Sequence, residues 1–289
     1  MTQPPLLEPK QIKARQTAAF TVDEARCSSC GLCVKECPLA LIQGNPPRVE
    51  EEQAARCNRC QHCMAICPTG AVSIEGRNPE DSPAPMKSGL PSLEQINQLV
   101  RGRRSTRQYQ DKDVDPALVQ QLLEALSFVP TAHNALDLTL TVIDHKASLA
   151  PIREAVLRAV EKCIKEGRIP DQLAFLKSAP AAFFEQGVDL IFRGAPHLLL
   201  VSAPQNSLGG QWDISIALTT FELMATTAGL GAVWCGMLKA ALELAPEMKS
   251  LLDLPTEGVH YYPILFGYPA VKYARGVQRE GAAVIKRLS

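Results

Sequence analysis

Cys27-Ser-Ser-Cys30-Gly-Leu-Cys33-Val-Lys-Glu-Cys37-Pro38 and, further on, Cys57-Asn-Arg-Cys60-Gln-His-Cys63-Met-Ala-Ile-Cys67-Pro68 are two copies of one pattern, C-x2-C-x2-C-x3-C-P. They contain eight of the ten cysteines in the chain. Three closely spaced thiolates wrap three irons of a cubane, and the fourth, set apart by the proline turn, reaches across to the other cluster. The expected assignment is therefore crossed: Cys27, Cys30, Cys33 and Cys67 hold one [4Fe–4S] cluster, and Cys57, Cys60, Cys63 and Cys37 hold the other. A structural zinc module is the alternative, but zinc sites take cysteines in pairs, and a run of three followed by C-P, repeated twice, fits a tetrahedral ion poorly. His62 stands between two ligands and is read as an ordinary exposed residue rather than a further ligand.

The stretch from residue 20 to residue 76 is cysteine-dense and poor in apolar runs, so a bound metal must supply what a small hydrophobic core cannot. This unit resembles the bacterial two-cluster ferredoxins, and both motifs are complete. Residues 1–19 read as an N-terminal tail. Residues 77–91, rich in Pro, Ser and charge without apolar period, read as a linker. Residues 92–289 form the second domain.

Over the whole 289 residues, 30 Lys and Arg balance 30 Asp and Glu, which gives no electrostatic reason for nucleic acid or an anionic membrane as partner. The start of the chain, Met1–Lys10, lacks the basic-then-apolar order of a secretory signal, and no apolar run is long enough for a membrane span. A cytoplasmic, reducing location is the expectation, in which motif-spaced cysteines signify metal rather than disulfides.

In the second domain Ser92 is placed to cap a helix carrying Leu93, Ile96, Leu99 and Val100. Asp115-Pro116 is placed to start another carrying Leu118, Val119, Leu122, Leu123 and Leu126. Residues 138–143, 198–202 and 261–266 read as strands, 231–235 as a weaker fourth, and 213–227 as a largely buried helix. The sum is a mixed α+β domain. At the end of the first helix Arg101-Gly-Arg103-Arg104-Ser105-Thr106-Arg107 gathers four guanidiniums and hydroxyls, a set that suits a phosphate through forked, charge-assisted hydrogen bonds. A solvated basic helix end is the functionally silent alternative.

The Arg103-Arg104-Ser105-x-Arg107 segment resembles the opening motif of the nitroreductase family of FMN flavoproteins. Later segments follow the family's order. Pro130-Thr131-Ala-His133-Asn134 resembles its loop beside the flavin, although the family usually continues as N-x-Q-P where Ala135, Leu136 and Asp137 stand here. Gly194-Ala-Pro196 and the strand after it resemble a further segment. Asp213 through Gly229-Leu-Gly231-Ala-Val-Trp234-Cys235-Gly236 resembles the central helix and glycine turn, and Gly267-Tyr268-Pro269 with Lys272, Arg275 and Arg279 resembles the closing basic segment.

The resemblance implies a nitroreductase-like FMN-binding domain, a central, mostly antiparallel sheet flanked by helices, joined to the small two-cluster unit. It implies FMN held by Arg103, Arg104, Ser105, Arg107, Pro130, Thr131, Asn134, Cys235, Gly236, Arg275 and Arg279. It also implies a homodimer, a small nitro, quinone or enone-like substrate, and reduced ferredoxin or NAD(P)H as electron donor. A built-in nicotinamide-binding Rossmann unit is not expected, because no G-x-G-x-x-G follows a strand. His133 is the candidate proton donor, although a loop histidine is more often structural and water can supply the proton. Cys163 is read as an inert buried thiol. The competing reading is an electron carrier or redox sensor whose larger domain binds a partner without turnover.

Overall fold

The computed structural model describes residues 19–85 and 88–288. They fall into two compact units. One runs to Leu90 and includes His133–Ala135; the other comprises Pro91–Ala132 and continues from Leu136. Of the expected tail, all but Ala19 lies outside the described residues.

The smaller unit is built from short elements: β1 (Phe20–Val22), α1 (Leu32–Glu36), β2 (Ile42–Gln43), β3 (Arg48–Val49), α2 (Glu51–Ala54), α3 (His62–Ala65) and β4 (Val72–Ile74). β1 and β4 pair antiparallel with Phe20 opposite Ile74 and Val22 opposite Val72, and β2 pairs with β3. Cys33, Ile42, Met64, Val72 and Ile74 form its buried cluster, flanked by Phe20, Val22, Val49 and cysteines of both motifs.

The larger unit contains α4 (Leu93–Gly102), α5 (Pro116–Ala125), β5 (Thr139–Ile143), α6 (Lys146–Lys165), α7 (Ala179–Gln186), β6 (His197–Pro204), α8 (Gly210–Thr227), β7 (Gly231–Trp234), α9 (Gly236–Leu244) and β8 (Val259–Gly267). Its sheet has the order β5-β6-β8-β7, with every neighbouring pair antiparallel. Because side chains alternate along a strand, the Leu198–Val201 run of β6 serves two cores. Leu198 and Leu200 pack with Leu157, Val160, Leu238 and Leu242 from α6 and α9. Leu199 and Val201 pack with Leu122, Ala217 and Phe221 from α5 and α8. A strand covered by helices on both faces can be apolar at every position, which is why this run reads as continuous rather than alternating.

The mixed α+β architecture and the antiparallel sheet agree with the sequence expectation, as do the four strands and the buried helix. α4 carries the expected cap at Ser92, a full capping box with Gln95. Its apolar stripe behaves differently: Leu93, Ile96 and Val100 are exposed and Leu99 is half-buried, so among the described residues most of the face that periodicity assigns to a core is uncovered. Among the described residues no helix is long and apolar enough to cross a membrane.

Candidate functional site

The two cysteine motifs adopt the same backbone. Ser29 and Arg59, Gly31 and Gln61, and Ala40 and Gly70 occupy equivalent places in the two repeats, and all six have positive φ. One cavity, of about 30 Å³, is lined by Cys37, Cys57, Cys60 and Cys63 together with Phe20, Leu39, Leu41, Ile42, Val49 and Ile74. The other, of about 280 Å³, is lined by Cys27, Cys30, Cys33 and Cys67 with Ser28, Ser29, Lys35, Asn45 and Thr69 among its walls. Among the described residues no three Cys, His, Asp or Glu side chains converge as a single-ion site would require; the thiols line cavities instead.

Each cavity presents four sulfur donors, the number a cubane takes. Burial pushes the Cys63 thiol up to about 11, and burial also raises Cys33 and Cys57. Such thiols ionise readily only beside a cation, so the donor set suits a bound metal centre. Burial works to raise Cys67 as well, yet hydrogen bonds from the Thr69 hydroxyl and from backbone at Thr69, Ala71 and Val72 bring it below its ordinary value. Arg26 steadies that turn: its Nε donates to the Thr69 carbonyl at 3.0 Å while its guanidinium pairs with Glu80. His62 is exposed and its Nδ1 lies 3.2 Å from Glu36 Oε1.

In the larger unit the arginine segment leaves α4 as an extended strap along β7. Ser105 bridges Ala232 in parallel fashion, and the Thr106 amide donates to the Ala232 carbonyl at 2.9 Å. Gly231 makes this approach possible, since a Cβ there would collide with the Thr106 side chain. Tyr109 Oη donates back to the Thr106 carbonyl at 2.8 Å. The closing segment runs alongside: Tyr109 bridges Pro269, the Gln110 amide donates to the Tyr268 carbonyl and the Ala270 amide to that of Gln108. Arg101 Nη2 also reaches Glu280 Oε1 at 2.6 Å, so the start and end of this unit meet beside the strap.

The four arginines of the strap region have different roles. Arg103 Nη1 donates to Glu222 Oε1 at 2.8 Å, and Trp234 Nε1 donates to the other oxygen, Oε2, at 3.3 Å. Glu222 is buried on α8, and sequence reasoning missed it. Its signal was a lone carboxylate in the otherwise uncharged stretch Ile214–Thr227 of a buried helix. Arg104 Nη1 donates to the carbonyls of Arg101 and Arg103, both at 2.7 Å, and Arg107 Nη1 to that of Ser105 at 3.3 Å. Among the described residues neither Arg104 nor Arg107 has a carboxylate within ion-pair distance. Among the described residues these two guanidiniums meet backbone carbonyls rather than carboxylates, which suits an added anionic group. Arg275 and Arg279 are exposed on the closing segment.

The Pro130–Asn134 loop is anchored at its middle, where the Ala132 amide donates to both carboxylate oxygens of buried Asp213 at 3.1 Å. Thr131 Oγ1 accepts from the Leu136 amide at 3.1 Å; His133 and Asn134 both have left-handed backbone, and His133 is exposed. Cys235 is buried and burial pushes its thiol up to about 12; its Sγ donates to the Ile191 carbonyl and its amide to that of Pro263. No thiol chemistry follows from that environment. Gly236 is exposed next to it, with Tyr262 Oη 3.3 Å from where a Cβ would stand.

Residues 100–268 match the nitroreductase family, well over half of the chain. The chain belongs to the nitroreductase family. Residues 15–72 match the 4Fe-4S dicluster domain, so this nitroreductase carries a dicluster ferredoxin domain before its family domain. Over 184 residues it is 26% identical to a protein of Methanothermobacter thermautotrophicus provisionally named NADH dehydrogenase/NAD(P)H nitroreductase, covering 63% of this chain and 81% of that one. Among solved structures, its fold is shared with an FMN-bound nitroreductase from Bacteroides fragilis (19% identity, TM-score 0.54, 66% of this chain and 98% of that one). An FMN-bound nitroreductase from Desulfitobacterium hafniense is similar (20% identity, TM-score 0.51, 66% and 97%). The fusion of the two domains and the oxidoreductase class expected from the sequence both stand.

Proposed function

We propose that this nitroreductase is an FMN-dependent enzyme in which two [4Fe–4S] clusters relay single electrons to FMN for reduction of a small nitro, quinone or enone-like compound. The observation that carries the reading is the pairing, in one chain, of eight thiols in two sets of four with a strap whose Arg104 and Arg107 have no carboxylate partner among the described residues. When bound, FMN takes up electrons singly and releases them as a pair or hydride, which joins one-electron iron–sulfur chemistry to two-electron substrate chemistry.

In this reading Cys27, Cys30, Cys33 and Cys67 ligate one cluster, and Cys37, Cys57, Cys60 and Cys63 the other. Arg104 and Arg107 grip the FMN phosphate, and Arg275 and Arg279 close over it. Arg103, anchored by Glu222, keeps its remaining N–H donors for the flavin, with Ser105 beside it. Pro130, Thr131 and Asn134 flank the ring from the loop that Asp213 holds. The Cys235 amide is engaged within the sheet, which leaves Gly236 as the part of that turn open to the cofactor.

A homodimer accords with the exposed apolar residues of the larger unit: Leu93 is 86% exposed, Phe128 88% and Trp212 71%, more apolar surface than a lone unit presents without purpose. The electron donor is reduced ferredoxin or NAD(P)H. Counting iron, sulfide and FMN in anaerobically purified protein tests the cofactor set, and the absence of released flavin on denaturation would overturn the enzyme reading. Anaerobic assays with NAD(P)H against reduced ferredoxin then identify the donor.

A further inference from the structure

The two cysteine cavities share a backbone and differ in what faces the sulfur atoms. On the Cys67 side, Sγ accepts from the Ala71 amide at 3.2 Å and lies 3.6 Å from Thr69 Oγ1. Ser28, Ser29, Asn45 and Lys35 line the same cavity. At the equivalent turn after Cys37, Leu39 stands where Thr69 stands; Phe20, Leu41, Ile42, Val49 and Ile74 make this cavity's apolar wall, and Asn58, Arg59, Gln61 and His62 complete the lining. The Arg59 amide donates to Cys57 Sγ at 3.3 Å, and the Arg59 guanidinium, the cation of this cavity, lies 3.7 Å from Glu75.

We propose that the cluster held by Cys27, Cys30, Cys33 and Cys67 has the higher reduction potential of the two, and that the Thr69 hydroxyl on Cys67 is the positioned donor that raises it. This rests on the ligand sets proposed above. Reduction brings one electron, and so one negative charge, to an already anionic thiolate-bound cluster. Donors aimed at sulfur and a polar, wetter wall stabilise the added charge; an apolar wall does not. Thr69 is held for this task, because Arg26 fixes its carbonyl and Gly70 completes the turn at φ 60°. The first electron from a low-potential one-electron donor therefore resides on the Thr69 side, and the cluster within the apolar walls is reduced second.

The test is an anaerobic potentiometric titration of the full-length holoprotein with dithionite, followed by EPR. Two separate midpoints are expected. Thr69→Val should lower the higher midpoint and leave the other in place, Thr69→Ser should restore it, and Leu39→Thr should raise the lower one. Eight irons per chain with coincident midpoints would overturn the proposal alone, as would a Thr69→Val variant that moves the lower midpoint or neither. Fewer than eight irons in the unmodified protein would overturn the ligand sets as well. Should Thr69→Val fail to retain its clusters, Leu39→Thr decides the matter, and an unmoved lower midpoint there counts against the proposal.

Discussion

In the smaller unit a cluster of five buried side chains makes the core, and one of the five, Cys33, belongs to the first cysteine motif. In the larger, β6 alone buries Leu198, Leu199, Leu200 and Val201 between two helical layers. The first arrangement has too little apolar surface to balance the entropy of ordering its loops, so metal–thiolate bonds must hold it. The second is an ordinary two-sided core that stands on packing. One chain thus joins a part that depends on its inorganic groups for shape to a part that needs its cofactor only for chemistry.

The harshest way to break this comparison is to remove the iron. Chelation under oxidising conditions should abolish protease resistance across residues 20–76 while the circular dichroism of the larger unit's helices and sheet persists; joint collapse of both would refute the division. Next in size is the buried pair in the larger unit. Glu222→Ala leaves Arg103 without its carboxylate and should cost about 3–5 kcal/mol in thermal or chemical unfolding of that unit. Glu222→Gln, which keeps a hydrogen-bond acceptor, should cost less, and iron content should be unaffected by either.

Arg107→Ala should weaken FMN binding by about 1.5–3 kcal/mol, roughly ten- to a hundredfold, as loss of a charge-assisted hydrogen bond implies. Stability and the iron–sulfur absorbance should stay as they are. Unchanged flavin content would displace the phosphate from the strap.

The smallest effect concerns His197, fully buried on β6, whose Nε2 accepts from the Val114 amide at 2.8 Å. Burial lowers its affinity for a proton below the ordinary 6.5, against a weaker opposing pull from Asp113. The unfolded chain therefore binds the proton more readily, so the stability His197 contributes is complete above about pH 6.5 and declines as pH falls below it. A decline in stability between about pH 7 and pH 5.5 is expected, flattened in His197→Gln, as measured by denaturant titration at each pH.

The parts legible in the sequence are those whose causes are local. Cluster ligands recur at fixed spacing because one cubane must be wrapped by one short loop, and the Ser92 and Asp115 caps lie within three residues of the amides they accept from. The Leu198–Val201 run announces a covered strand by its own composition. Features set by distant partners were not legible. Glu222 meets Arg103 across 119 positions, and no periodicity connects them. The apolar stripe of α4 has the right spacing, yet Leu93, Ile96 and Val100 are exposed, since amphipathicity reports that a face is to be covered without naming the cover.

Glu222 has one more consequence. It is part of the polypeptide, so the charge of Arg103 is balanced from the moment α8 and the strap come together, whatever the supply of small molecules. The larger unit can finish folding and wait for its flavin with the first arginine already in place. The thiols of the smaller unit wait instead for iron. In a growing cell the pace of maturation for this protein would follow iron–sulfur delivery, and a shortage of flavin would leave an intact receptacle rather than a misfolded chain.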